Sequence, residues 1–132
     1  MTDFKTLKLS WKPNQYLVTP TGWGQDRPHR ESPVFGRDPA AVYAAIKAVA
    51  LDQPRVQLLS DDPTRRKLEL VQRTPIVRFP DFVSIEVVPA EGQGSTILVY
   101  SRAKFGIRDF GVNRRRIDRW LALLADRLAK MA

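Results

Sequence analysis

The chain has no cysteine and only one histidine in 132 residues. Without thiols there is no disulfide, no thiolate nucleophile and no cysteine-ligated zinc. One imidazole, His29, likewise excludes a metal site built mainly of histidines within one chain. No apolar run approaches the roughly 18 residues of a membrane span. The first residues, Met1-Thr2-Asp3-Phe4-Lys5, lack a signal-type apolar stretch. A chain trimmed of such a stretch would read the same, so cytoplasm and cell envelope both stay open. Internal repeats and low-complexity segments are absent as well.

What is present is an ordinary globular composition, 43% hydrophobic and 27% charged. It suits a soluble single domain spanning 1–132 that buries roughly two thirds of its unfolded surface. Residues 1–37 are punctuated by prolines and glycines and read as mostly extended or looped, with a short strand at Gln15 to Thr19. Trp11, Tyr16, Trp23 and Phe35 suggest that this segment packs on the domain. Asp38-Pro39 opens a helix over 38–51, with Asp38 as N-cap and Pro39 at the first helical position. Strands follow over 56–103, including Lys67 to Thr74, where Leu68 and Leu70 alternate with charged neighbours. Ile117, Trp120, Leu121, Leu124, Leu128 and Met131 then mark one face of a helix over 113–131, with Asn113 as its cap. The expected architecture is α+β, two-layer. An antiparallel meander of four or five strands carries two amphipathic helices on one face.

The net charge is +8. Between residues 102 and 119, Arg102, Lys104, Arg108, Arg114, Arg115, Arg116 and Arg119 face only Asp109 and Asp118. Such a segment suits nucleic acid, an anionic membrane surface or another acidic partner. Within it, Asn113-Arg114-Arg115-Arg116 begins a helix with three cations, which oppose the macrodipole. Two explanations fit. A small anion would bind the free N–H groups and guanidiniums of Asn113 to Arg116, with Arg102 nearby. Alternatively, the arginines pair with Asp81 or Asp109, and Arg114 with Asp118 one turn on. The three arginines span about 200° of helix, so they cannot all face one ligand.

The loop from Thr19 to Ser32 is the second candidate, with Trp23, Asp26 and His29 as its recognition residues. A Ser32-His29-Asp26 reading lacks an oxyanion hole and a nucleophile on a strained turn. A histidine bonded locally in a surface loop accounts for the same residues. Gly22-Trp23-Gly24 has no strand-glycine-helix context, so no cofactor is called for. Asp61-Asp62-Pro63, with Asp81, has the makings of a carboxylate cluster, but Asp-Asp-Pro reads better as a turn than as a metal site. Phe82 and Tyr100 are the only aromatics placed to stack bases on a sheet, and both also suit a core.

Tyr100-Ser101-Arg102 followed by Phe110-Gly111-Val112-Asn113-Arg114-Arg115-Arg116 resembles the ending of a bacterial and plastid family known as domain of unknown function 1499. That ending reads Ser-Arg, a short loop, then Asp-(Leu or Phe)-Gly-Val-Asn-Arg-x-Arg. Val71-Gln72-Arg73-Thr74, Arg78-Phe79-Pro80-Asp81 and Lys12-Pro13-Asn14-Gln15-Tyr16-Leu17-Val18 resemble its middle and N-terminal blocks. The resemblance runs from Trp11 to Leu124. Phe110 stands where leucine is commoner, and the cysteine or serine pair that many relatives carry after Pro-Asn is missing. The resemblance implies no activity and transfers no catalytic residue; many relatives carry an N-terminal membrane or export segment. The preferred expectation is a non-enzymatic binding or accessory module, with an electrostatic binder and an enzyme using His29 as alternatives. Oligomeric state and partner are not legible.

Overall fold

The computed structural model describes residues 1–131. Its elements are β1 (Gln15–Thr19), β2 (Arg30–Glu31), β3 (Val34–Phe35), α1 (Pro39–Leu51), β4 (Val56–Asp62), β5 (Lys67–Arg73), β6 (Pro80–Pro89), β7 (Ser95–Ala103) and α2 (Val112–Ala129). The class is α+β, but the sheet is mixed and has seven strands rather than four or five in a pure meander. Its order is β2-β1-β7-β6-β5-β4, with β3 also pairing β7. The meander is real from β4 to β7, where short turns force antiparallel pairing. The departure comes from the proline-broken loop after Thr19, which brings the chain back parallel to β1 at Val18↔Arg30. At the opposite edge, the outermost strand β4 slips register between Leu58 and Ser60, leaving Leu59 51% exposed.

Local chemistry sets the helix starts. The Asp38 carboxylate accepts from Ala41 N–H at 2.9 Å, and Pro39 occupies the first turn where no N–H is needed. Helix α1 buries Val42, Ile46 and Val49; α2 buries Ile117, Trp120, Leu121, Leu124 and Leu128. These meet Tyr16, Val18, Leu68, Leu70, Val83, Ile85, Val87, Ile97 and Val99 on one sheet face. Each such side chain contributes about 1.5–3 kcal/mol by leaving water.

The other face is not bare. Phe4, Leu7, Leu9 and Trp23 lie over Leu17, Val88, Leu98 and Tyr100 as a second, smaller core. The N-terminal segment therefore adds a partial third layer, though Trp11 stays 76% exposed.

Candidate functional site

The end of the sheet formed by the start of β1, the β5–β6 loop and the β7–α2 loop holds most of the residues singled out above. Helix α2 does not begin with an Asn113 cap. Its cap position is Gly111, in the left-handed region at φ 81° with no capping side chain. The capping oxygens come from Asp109, which accepts from Gly111 N–H at 2.9 Å and from Asn113 N–H at 3.0 Å. The internal carboxylate thus supplies the negative charge that the helix start favours. Phe110 shares the left-handed conformation, and the paired reversal aims the Asp109 side chain back at the first turn. A Cβ on Gly111 would lie 2.9 Å from Arg115 Nη1, so glycine suits this position on both counts.

Asn113 is instead a fully buried link. Its Nδ2 donates to Asn14 O (3.0 Å) and Asp109 Oδ2 (2.6 Å), and its Oδ1 accepts from Ser101 Oγ and Arg116 Nη1. Arg116 is buried as well. Its Nη2 donates to Asp81 Oδ2 at 2.6 Å, its Nε to Gln72, and its Nη1 also to Ser101. The Asn14 side chain, in turn, holds Gly106 O at 2.6 Å. One polar knot therefore ties the residue before β1, strands β5, β6 and β7, the β7–α2 loop and α2 together. Every side chain in it has partners, as burial of polar groups requires.

The other arginines of the segment scatter. Arg114 is exposed and lies 3.7 Å from Asp118. Arg102 is on the opposite sheet face, 4.0 Å from Glu69 and beside the half-buried rings of Tyr100 and Phe82. Burial lowers its pKa against the pull of Glu69. Arg115 folds back onto Phe110 O (2.9 Å) and, with Arg119, Arg55 and Arg73, lines a groove of about 240 Å³. Thr74, Pro75 and Val112 also line it, and Arg116 closes one side; no carboxylate does. Arg55 and Arg73 donate to backbone carbonyls, and the Arg119 side chain has no partner among the described residues.

With that geometry in view, a family model matches residues 9–124, described as "Protein of unknown function (DUF1499)". The chain belongs to the DUF1499 family. No curated protein matches it. In this DUF1499 protein Asn14, Gln72, Asp81, Ser101, Asn113 and Arg116, with Asp109, make up the polar knot.

The histidine loop is divided among different partners. Trp23 packs in the second core beneath Lys5, whose Nζ is 4.0 Å from the ring, and its buried Nε1 lacks a hydrogen-bond partner among the described residues. Asp26 accepts from Leu9 N–H, and Ser32 is buried against Thr96. His29 Nδ1 accepts from Leu17 N–H at 2.9 Å while its ring stacks on Tyr16. Asp26 and Ser32 are thus held elsewhere, and no Ser-His-Asp arrangement forms. Burial lowers the His29 pKa. His29 does line an open cleft of about 660 Å³ with Tyr16, Arg30, Arg114 and Asp118. There Asp118 accepts from Arg30 (2.8 Å) and Tyr16 (3.0 Å). Burial first, then the Asp118 bond, raise the Tyr16 pKa.

Asp61 and Asp62 lie in β4 rather than in a turn. Asp61 is held by Lys47 and then Tyr43, which lower its pKa in that order, and Asp81 is in the knot at the other end of the sheet. Among the described residues no group of three His, Cys, Asp or Glu side chains is placed to hold a metal. No described helix is long and apolar enough to cross a membrane.

Proposed function

We propose that the protein is a non-enzymatic binding module that takes a small phosphate-type anion in the groove of Arg55, Arg73, Arg115 and Arg119. One observation carries this: four guanidiniums share a concave site without a carboxylate in its lining. Clustered cations repel one another, and a multiply charged oxyanion with several acceptor oxygens relieves that while matching guanidinium geometry. The groove, rather than Asn113 and Arg116, takes the anion. Their polar atoms already have partners, and Asp109 takes the first-turn N–H groups of Gly111 and Asn113.

Thermal denaturation in increasing inorganic phosphate tests it, with sodium chloride at matched ionic strength as control. Phosphate at about a hundred times its Kd would stabilise the fold by about 2.7 kcal/mol. The gain should vanish in Arg115→Ala/Arg119→Ala. Equal stabilisation by chloride, or an unchanged gain in that variant, would remove the proposal.

A further inference from the structure

The loops beside this groove present an unusual surface. Ile76 is 97% exposed and Phe110 85%, and Val77, Phe79, Phe105 and Ile107 are exposed too. The two loops that carry them are joined: Lys104 N–H donates to Pro80 O at 3.2 Å, and the Phe79 and Phe105 rings lie 6.1 Å apart. Two joined loops thus carry six exposed apolar side chains at one end of the sheet, a concentration unlike singly scattered surface residues.

The backbone holds these side chains outward. Thr74 N–H bonds Phe79 O at 2.9 Å and Arg78 N–H bonds Thr74 O at 3.1 Å, closing a tight loop. Within it Ile76 (φ 67°) and Arg78 (φ 63°) are left-handed, as is Phe110 (φ 53°) in the partner loop. A β-branched residue is strongly disfavoured there. Folding alone gains nothing by placing isoleucine at such a position and exposing it.

The charge around the tip has one sign. Arg78, Lys104 and Arg108 are exposed in the same two loops, with Lys104 Nζ 5.4 Å from the Phe105 ring. The one carboxylate in them, Asp109, is turned inward on the helix start. An apolar tip with a cationic collar and no outward acid complements an anionic lipid interface, where apolar side chains enter the acyl boundary and cations meet headgroups.

We infer that the two loops dock the protein peripherally on an anionic membrane, seating Ile76, Val77, Phe79, Phe105, Ile107 and Phe110 in the interface. The docking stands on the loops themselves. It deepens the anion-binding proposal, because Thr74 and Pro75 of the tip also line the arginine groove. The anion that the groove meets in this setting is a lipid phosphate.

The test is co-sedimentation with phosphatidylcholine vesicles, pure or with about one third phosphatidylglycerol, at about 0.1 M salt where screening is moderate. The full chain should partition to the anionic vesicles and not to the neutral ones. Ile76→Asn/Phe110→Asn should weaken partition by about tenfold or more. Asparagine tolerates left-handed backbone, so this variant folds. In Phe110→Trp, tryptophan emission should shift to the blue on vesicle addition. No partition to anionic vesicles, or equal partition of the double-asparagine variant, would overturn the inference. So would a concentration-dependent dimer in solution that the same variant abolishes, since the tip would then be a protein interface. The double-asparagine variant keeps the groove, so unchanged phosphate stabilisation with lost vesicle binding separates this inference from the groove proposal.

Discussion

Arg115 and Arg116 are neighbours in the first turns of α2, one helical step of about 100° apart. The step turns Arg116 inward, onto Asp81, Gln72, Ser101 and Asn113, and leaves Arg115 outside on a backbone carbonyl beside three other arginines. The inward guanidinium has lost its water and depends on its partners. The outward one keeps solvent and has no carboxylate to satisfy. Desolvation, rather than residue type, separates a buried brace from a solvent-facing cation, and mutation should expose the difference.

Asp81→Ala should have the largest effect, because it strands a buried guanidinium. A loss of about 3–5 kcal/mol is expected in urea unfolding. Asp81→Leu combined with Arg116→Met should recover much of it, since removing both charges leaves none uncompensated. A small loss for Asp81→Ala would mean that Arg116 reaches water and that the contrast with Arg115 is false. Asp109→Ala should come next, at about 1–2 kcal/mol, by uncapping Gly111 and Asn113 N–H groups. Hydrogen exchange at those amides should rise in step. Arg115→Ala should change stability by no more than about 0.5 kcal/mol, because its side chain is exposed and its one bond is to a carbonyl.

The smallest effect concerns pH. The folded state lowers the His29 pKa, so the unfolded chain binds more protons below about pH 6.5. Stability from the neutral ring is therefore full above that pH and is lost as the pH falls toward the lowered value. Protonation also breaks the Leu17 N–H to Nδ1 bond. His29→Gln should flatten the stability–pH curve just below pH 6.5, and an unchanged slope would show that the ring titrates freely.

Local signals were legible in the sequence. Asp38-Pro39, the Leu68 and Leu70 alternation and the α2 stripe from Ile117 to Leu128 each depend on residues a turn or a pleat apart, whereas Met131, expected in that stripe, lies exposed beyond the helix end at Ala129. Strands β2 and β3, of two residues each, carry no period, and their pairing depends on where a proline-rich loop returns. The motif at Asn113 was visible, but its work was not. Its partners Asn14 and, through Arg116, Asp81 and Gln72 lie 99, 35 and 44 residues away. The Asp109 cap did leave a trace, an acidic residue two positions before the glycine that opens the helix. The apolar tip left none, because no period around Ile76-Val77 says which side chains the fold leaves outside.

The slip in β4 has a consequence for the protein's life among copies of itself. A free edge strand is a template onto which another chain can add by backbone pairing. The irregularity at Leu59 interrupts the repeat of donors and acceptors midway along that edge, so an incoming strand can keep register with only part of it. Asp61, tied to Lys47, and Asp62, beside Arg65, put charged rather than apolar side chains on the remaining length. By deforming its outermost strand, the sheet limits its own growth into a polymer.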